Sequence, residues 1–506
     1  MTGRETTSVP SAAHAVPPPP RQRREDMTPK LDPVPTPPER SPSVQTSPTE
    51  SSTLSIPKLR SDIRGRVIAP EDQDYDAART VFLGGVDDRP AVIVRVADAT
   101  DVATVIAVAR ETGLELAIRS GGHSSAGHSV CDGGIVLDLH DMKALDIDVD
   151  GRTAWAETGL TAVEYSNATA AHGLATGFGD TGSVGIGGIT LGGGVGYLVR
   201  KHGLTIDDLL AAEVVTADGE LLGVDAENHP DLFWAIRGGG GNFGVATRFK
   251  FRLHEVPSVV GGMLMLPATA EAIAGFIRAA EAAPEELSTI ANVMPAPPMP
   301  FLPAEEHGKL IIMALMVYAG ETEAGQRALA PFRALATPVA DMLKPMPYPE
   351  IYPPEGEDYH PLAISRTMFV DRIDLPVAES IVAHLDASDA AMRVAQLRVL
   401  GGAMARVPSD ATAFAHRDSR IMVNVATFYE GPDDHDRREA WVEDFVALLR
   451  QDDDGAYVNF LADEGEDRIR AAYPGSTWDR LAGIKARYDP DNVFRRNQNI
   501  PPATGA

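Results

Sequence analysis

The stretch "RSGGHSSAGHSVCDGGIVLDL", residues 119–139, says most about how this chain folds. Gly121 and Gly122 precede His123 in it, and Gly127 follows four residues later. Because glycine has no side chain, another group can approach the main chain closely at such positions. From these residues alone, His123 could hold a metal ion, act as a base or be attached to a bound group.

The sequence around this stretch predicts a mixed arrangement of helices and strands. An apolar run of strand length is followed by a helical pattern that opens on Asp98, a candidate N-cap, and closes on Gly113. Two further strands, a hairpin and a helix followed by an alternating strand complete the pattern. The predicted segments are 91–96, 98–113, 114–120, 134–139, 212–224 and 230–256.

Glycine clusters occur three times, at residues 119–127, 181–196 and 238–244. Bare N–H groups in such loops form anion-binding nests, and a pyrophosphate is a typical guest. The spacing does not match the dinucleotide fingerprint of the doubly wound fold or a Walker-type phosphate loop. The alternative is that these glycines serve only as structural turns.

The chain divides into four predicted parts. Residues 1–60 are rich in proline and serine, so we expect a disordered extension: a docking tail, a linker, or a segment upstream of a start at Met27. Residues 61–258 carry the glycine clusters. Residues 259–455 alternate helical stretches with strands, which predicts a second domain of antiparallel sheet with helices on one side. Residues 456–506 close the chain.

Composition restricts the classes of partner. The formal net charge of −27 disfavours nucleic acid and anionic membranes. The single cysteine, Cys131, excludes an internal disulfide framework and a multi-cysteine metal site. The sequence contains no run of about 18 apolar residues, so we expect no membrane-spanning helix. We find neither a secretory nor a twin-arginine signal and therefore expect a cytoplasmic protein.

Four separated motifs, at residues 119–139, 182–220, 230–249 and 488–502, carry a specific resemblance. They are similar to motifs of the vanillyl-alcohol oxidase/p-cresol methylhydroxylase (PCMH) flavoproteins, in the branch of berberine bridge enzyme and bacterial 6-hydroxynicotine oxidase. The resemblance extends over about residues 80–258 and 457–502. It implies an α+β fold with a two-part, PCMH-type FAD-binding domain, a substrate domain, and a C-terminal segment that returns to the FAD domain.

The resemblance also implies how the cofactor is held. His123 corresponds to the histidine that is covalently bonded to the 8α carbon of FAD, while His128 is expected only to line the loop. Thr181 stands where many relatives carry a cysteine that forms a second covalent link, so a single attachment is expected. No bound metal is expected. Val184 corresponds to a valine that is typical of relatives admitting oxygen, which favours an oxidase. The other residues implied to bind the cofactor are Arg119, Ser120, Gly121, Gly122, Ser124, Gly127, Gly185, Gly188, Gly192, Gly194, Gly196, Asp207, Gly244, Val245 and Asn459.

Tyr457 is the predicted catalytic base, because the family's catalytic tyrosine falls in this C-terminal segment. A phenol needs neighbours that stabilise its phenolate to serve as a base at neutral pH. The alternative is an aromatic residue packed on the flavin without proton transfer. Asn459 is expected on the same face of a strand as Tyr457. In the substrate domain, the side chains that could line a pocket are His416, Arg417, Tyr318 and Tyr429.

The predicted function is therefore an FAD-dependent oxidoreductase, and in particular an oxidase. It would transfer hydride from a C–H bond next to oxygen or nitrogen of a small-molecule substrate, with O2 as the acceptor that yields H2O2. The alternatives are a dehydrogenase that uses another electron acceptor and a flavin-binding protein without turnover. The substrate and the oligomeric state do not follow from the sequence.

Overall fold

A computed structural model describes residues 53–353 and 359–504. Most of the predicted disordered extension, residues 1–52, lies outside the described residues. Its predicted end at residue 60 is wrong, because Ile56–Asp62 form a helix with Leu59 buried in the core. Ser55 caps this helix and Pro57 stands in its first turn, where proline is well tolerated. The proline- and serine-rich composition of the preceding fifty residues made the helix-start signal at Ser55 and Pro57 easy to miss.

The first sheet has four strands in the order β1-β2-β4-β3, and its last three strands are parallel. The predicted strand–helix–strand opening is confirmed. Val92, Ile93 and Val94 are fully buried, as expected for a parallel strand covered on both faces. Asp98 caps the following helix through two backbone N–H groups. The elements are α1 (Ile56–Asp62), β1 (Arg66–Ile68), α2 (Tyr75–Arg79), β2 (Val92–Arg95), α3 (Ala99–Thr112), β3 (Leu116–Arg119) and β4 (Ile135–Asp138).

The second sheet is antiparallel, with five strands in the order β5-β6-β10-β8-β9. Its β8–β9 pair is the predicted hairpin. In β10, Phe249 and Phe251 are fully buried while Lys250 and Arg252 lie on the other face. A small sheet pairs β7 with β11. The elements are β5 (Leu145–Asp148), β6 (Thr153–Glu157), α4 (Ala162–Ala170), β7 (Leu174–Ala175), α5 (Ile186–Leu191), α6 (Val199–His202), β8 (Leu209–Val215), β9 (Leu221–Asp225), α7 (Pro230–Ala235), β10 (Val245–Arg252) and β11 (His254–Glu255).

The third sheet is antiparallel, with seven strands in the order β15-β12-β14-β13-β18-β19-β17 and β16 added beside β12. The helices α8, α9, α10 and α12 bury their apolar sides in one cluster with these strands, which confirms the predicted layer. The elements are β12 (Val259–Pro267), α8 (Ala270–Ala282), β13 (Leu287–Pro295), β14 (Leu310–Tyr318), α9 (Thr322–Arg333), β15 (Ala340–Asp341), β16 (Lys344–Met346), β17 (Ala363–Val370), α10 (Leu375–Ala387), β18 (Arg393–Val399), α11 (Ala403–Arg406), β19 (Ile421–Phe428) and α12 (Pro432–Leu449).

The C-terminal segment packs against the second sheet and the third glycine cluster. It contains α13 (Glu466–Ala472) and α14 (Ser476–Tyr488). Leu481 of α14 belongs to the same core cluster as Phe243. Lys485 donates hydrogen bonds from Nζ to Asn242 O, at 2.7 Å, and to the Asp489 carboxylate, at 2.6 Å. All three polar side chains of this junction are buried, so it fixes the segment firmly.

Within the described ranges, no helix is long and apolar enough to cross a membrane. The domain boundaries at residues 258 and 455 stay a prediction.

Candidate active site

A cavity of about 410 Å³ brings together segments that are far apart in the chain. Its wall contains residues from all three glycine clusters, from β18 and β19 of the large sheet, and from the C-terminal segment. The first glycine cluster lies at this cavity because it follows directly after β3 of the parallel sheet. The sequence clusters are therefore parts of one site.

Two of the loops touch backbone to backbone. A Cβ atom on Gly121 would lie 2.2 Å from Gly185 N, and one on Gly185 would lie 2.3 Å from Gly121 N. Gly188 and Gly241 also line the cavity, but a Cβ on either would meet no atom within 4 Å. At Gly121 and Gly185, the protein's own packing requires glycine. At Gly188 and Gly241, glycine leaves free space in the cavity.

Most of the residues predicted to contact the cofactor lie on the cavity wall, together with Tyr457 and His128. They are Ser120, Gly121, Gly122, His123, Ser124, Thr181, Val184, Gly185, Gly188, Gly244, Val245 and Asn459. The structure places six others away from the wall. They are Arg119, Gly127, Gly192, Gly194, Gly196 and Asp207.

The two charged residues in the second group have partners within the protein. Arg119 donates from Nη2 to the Asp138 carboxylate, at 2.8 Å, and to Ala78 O, at 2.6 Å. The Asp207 carboxylate accepts two hydrogen bonds from the Arg417 guanidinium, at 2.8 and 2.9 Å. The Arg417–Asp207 pair is bidentate, and the charged partners of both Arg119 and Asp207 belong to the protein itself.

Protein neighbours also explain the glycines in that group. A Cβ on Gly196 would lie 1.3 Å from Phe178 O, and one on Gly194 would lie 1.9 Å from Thr205 Oγ1. Gly194 also has a φ of +83°, which favours glycine. The alternative of structural turns, left open by the sequence, therefore applies to this part of the second cluster.

His123 is held on two sides. Its ring stacks on Phe82 with the centroids 4.2 Å apart, and its Nε2 lies 2.8 Å from Ser183 Oγ. Burial lowers the pKa of His123 to about 4, so the imidazole is neutral at pH 7. Burial likewise lowers the pKa of His128 to about 4. In the described part of the chain, no group of three or more His, Cys, Asp or Glu residues is arranged to hold a metal ion.

Tyr457 is buried, and its phenol oxygen accepts three hydrogen bonds. They come from Gly194 N at 3.0 Å, Val195 N at 3.2 Å and Asn459 Nδ2 at 2.9 Å. On balance the pKa of Tyr457 is raised above its usual value, because burial outweighs these donors and the Arg398 charge, which act to lower it. Three N–H donors suit an oxygen that carries negative charge better than one that carries its own proton.

The predicted strand around Tyr457 is wrong. Val458–Phe460 form a 3-10 helix with Tyr457 at its N-cap, and Phe460 N donates to Tyr457 O at 2.9 Å. The turn brings the Asn459 amide back onto the Tyr457 oxygen, and Asn459 Nδ2 also donates to Ile189 O at 3.0 Å. Asn459 therefore lies beside Tyr457 on the wall through a turn, and the period-two argument does not apply.

A row of amides on the large sheet was missed by sequence reasoning. Asn292, Gln396 and Asn424 stand directly opposite one another on β13, β18 and β19. Gln396 Nε2 donates to Asn292 Oδ1 at 3.0 Å. Asn424 Oδ1 is buried and has no hydrogen-bond partner among the described residues. The available signal was an amide residue with an apolar residue on either side of it in each of the three strands.

Arg398, on the same strand as Gln396, completes this wall. Its Nη2 donates to the Asp180 carboxylate at 2.6 Å and to Gln396 Oε1 at 2.6 Å. Its guanidinium lies 5.0 Å from the ring centroid of Phe460. The pocket residues suggested from the sequence are not on the wall. These are His416, Arg417, Tyr318 and Tyr429.

The cavity wall fits a large cofactor with ring and phosphate groups. Buried oxygens of Tyr473, Asn497 and Asn424 lie on it and have no hydrogen-bond partner among the described residues. A bound polar group could supply these missing partners. The open backbone at Gly188 and Gly241 leaves room for a group lying against the main chain.

The fold and this site define an FAD-linked oxidoreductase, and comparisons with known proteins agree. The FAD binding domain family model matches residues 90–225, and the model described as berberine and berberine like matches residues 456–501. The chain is 31% identical over 467 residues to (R)-6-hydroxynicotine oxidase of Paenarthrobacter nicotinovorans, covering 89% of this chain and 99% of that one. It is 27% identical to glucooligosaccharide oxidase of Sarocladium strictum, covering 85% and 91%.

Solved structures show the same fold. The crystal structure of 6-hydroxy-D-nicotine oxidase from Arthrobacter nicotinovorans matches with a TM-score of 0.77 at 28% identity, covering 87% of this chain and 98% of that one. Physcomitrella patens BBE-like 1 matches with a TM-score of 0.79 at 21% identity. The chain belongs to the family of FAD-linked oxidoreductases that includes 6-hydroxynicotine oxidase and the berberine-bridge-enzyme-like proteins. The predicted family, fold class and FAD cofactor are confirmed.

Proposed function

We propose that this chain is an oxidase that takes hydride from a C–H bond next to oxygen or nitrogen of a polar small molecule. We further propose that its FAD is held by one covalent bond, through His123, and that O2 is reduced to H2O2. The observation that carries the proposal is the convergence of three glycine clusters, His123 and Tyr457 on one cavity wall.

Bound FAD supplies the acceptor for a hydride and later passes two electrons to O2. The residues that would hold it are the loop residues of the wall, with the open backbone at Gly188 and Gly241 and the imidazole of His123. Val184 also lies on this wall, in the position that the resemblance associates with access of O2.

A single attachment is supported by where the sulfur lies. Cys131 is fully buried, with Sγ 3.8 Å from Glu115 O and 3.6 Å from Ile135 O, and it is not on the wall. Burial raises the pKa of its thiol to about 11, so it is unreactive at neutral pH. Thr181, which is on the wall, has no thiol to form a second bond.

Tyr457 is proposed to take the proton from the substrate's hydroxyl or amine while the adjacent C–H bond gives up its hydride. The support is the set of three N–H donors that stabilise negative charge on Tyr457 Oη. Proton removal raises the electron density on the reacting carbon, so the hydride leaves more easily. The same contacts also anchor the glycine-rich loop, and the variant described in the Discussion separates the two roles.

The substrate is proposed to be polar and to form hydrogen bonds with the amide row. Gln396 and Asn424 face the cavity, and the unpaired Oδ1 of Asn424 can accept a hydrogen bond from a hydroxyl or amine. The charge of Arg398 is balanced by Asp180, so this arginine is not an unpaired positive charge for a substrate carboxylate. Two relatives are named for oxidation of a hydroxynicotine and of glucooligosaccharides, which are both neutral or basic polar molecules.

The test is anaerobic mixing of the purified holoprotein with a panel of sugars, secondary alcohols and amines. Loss of the oxidised flavin absorbance identifies a substrate, and rapid recovery of the absorbance with H2O2 formation on admission of air supports the oxidase. A flavin that is reduced but stays reduced in air would make the protein a dehydrogenase. A flavin that no member of the panel reduces would contradict the proposed substrate class.

The cytoplasmic location stays a prediction that rests on the sequence.

A further inference from the structure

His123 presents only one of its two ring nitrogens to a free reaction partner. Nε2 lies 2.8 Å from Ser183 Oγ, and Phe82 covers one face of the ring. Nδ1 has no hydrogen-bond partner among the described residues. The ring lies on the cavity wall, so the contact with Ser183 determines how the imidazole is turned there.

The position of Ser183 relative to His123 is fixed by the main chain. Ser183 stands two residues before Gly185, whose backbone is pressed against the backbone of Gly121, two residues before His123. A Cβ on Gly121 would also lie 3.2 Å from Ser183 O. The serine and the histidine are therefore carried by two loops whose backbones are packed together. Because the serine side chain is short, these backbones fix its contact with the histidine.

The contact between His123 Nε2 and Ser183 Oγ is compatible with a tautomer that leaves Nδ1 nucleophilic. If Nε2 carries the proton and donates it to Ser183 Oγ, then Nδ1 carries the free lone pair and is the nucleophilic nitrogen. Burial keeps the imidazole neutral at pH 7, so that lone pair is available. Without the serine, both tautomers and both ring orientations become accessible.

We propose that Ser183 is the positioning residue for flavin attachment, and that it directs the bond to Nδ1 of His123. This inference rests on the proposed covalent attachment through His123. Ser183 does not react itself; it acts only by holding Nε2–H and so turning Nδ1 toward the cofactor's 8α carbon.

The step balances as follows. A bond forms between Nδ1 and the 8α carbon, and one C–H bond of the 8α methyl group breaks. One proton leaves that methyl group and one leaves the imidazole, while two electrons pass into the flavin ring. Dioxygen takes up the two electrons and two protons as H2O2, which restores the oxidised cofactor with the new C–N bond in place.

The experiment compares the parental protein with Ser183→Ala and Ser183→Thr, each produced in riboflavin-limited cells and then supplied with FAD. Covalent attachment is followed over time as flavin that stays with acid-precipitated protein. The linked nitrogen is identified by NMR of the histidyl flavin released by proteolysis. We expect attachment at Nδ1 in the parental protein. In Ser183→Ala we expect attachment slowed by about two- to tenfold, the range that one hydrogen bond is worth, with part of the product linked at Nε2.

Ser183→Thr keeps a hydroxyl and should restore both the rate and the Nδ1 linkage, which a merely structural role would not predict. Ser61→Ala removes an exposed hydroxyl from α1, away from the cavity wall, and serves as the control, with attachment at the parental rate. A Ser183→Ala protein that attaches FAD at the parental rate and only through Nδ1 would overturn the inference, as would an Nε2 linkage in the parental protein. Parental protein that binds FAD but never attaches it would instead show that the proposed covalent bond is wrong.

Discussion

The contact between Gly121 and Gly185 allows a prediction that needs no substrate. A Cβ introduced by Gly121→Ala would lie 2.2 Å from Gly185 N, whereas ordinary van der Waals contact begins at 3.4 Å. The two loops would have to separate by about 1.2 Å, because the backbone fixes the position of the Cβ and Gly185 N is itself a backbone atom, so no rotamer change can relieve the clash. Overpacking of this kind typically costs about 1–3 kcal/mol.

The assay is urea unfolding of the protein together with its bound flavin content, and Gly188→Ala is the matched control. A Cβ on Gly188 meets no protein atom within 4 Å, and the residue lies within α5. Gly188→Ala should therefore leave the free energy of unfolding unchanged or raise it by about 0.5–1 kcal/mol. It should nevertheless lower the amount of FAD that the protein incorporates, because the methyl group enters the cavity. If the two variants were equally stable, the reasoning would be refuted that Gly121 is required by protein packing while Gly188 leaves space for the cofactor.

The remaining predictions concern the base, the buried ion pair and pH. Tyr457→Phe should slow anaerobic flavin reduction by about 10²- to 10⁴-fold with FAD still attached; a parental rate in the flavin-loaded variant would leave Tyr457 only its anchoring role. Lys485→Met should lower the free energy of unfolding in urea by about 3–5 kcal/mol, because the fully buried Asp489 carboxylate loses its cation; a loss below about 1 kcal/mol would contradict this. Burial, helped by the nearby charges of His254 and Lys201, lowers the pKa of His202 to about 3 from 6.5. The unfolded chain therefore takes up the proton first, and stability contributed above pH 6.5 is lost as the pH falls toward 3. Thermal unfolding midpoints at pH 7.5 and 5 should differ less in His202→Phe than in the parental protein.

Local signals predicted the elements of the first two sheets well. The helix after Asp98 begins at its cap and ends at Gly113, which has a φ of +71°. The alternation in "TRFKFRL" correctly predicted which side chains of β10 are buried. In these segments, short-range capping and periodicity agree with the tertiary packing.

The site was predicted less completely, because cavity walls are formed by contacts between distant segments. The glycine clusters indicated that something approaches the backbone, but not which glycines face the cavity and which face another strand. Gly196, for example, is required by Phe178 O. The amide row depends on the register of three strands, and register is set by pairing that one sequence does not reveal. The role of Tyr457 stays a prediction, although the residue does lie on the cavity wall, whereas the turn that places Asn459 beside it was not predicted.

The central claim is that the cavity at His123 holds FAD through one covalent bond. The most direct test is to precipitate the purified holoprotein with acid and measure the flavin in the pellet and in the supernatant. We predict one flavin per chain in the pellet of the parental protein and of Cys131→Ser, and flavin only in the supernatant for His123→Ala. A colourless parental pellet, or a His123→Ala pellet that stays yellow, would contradict the account.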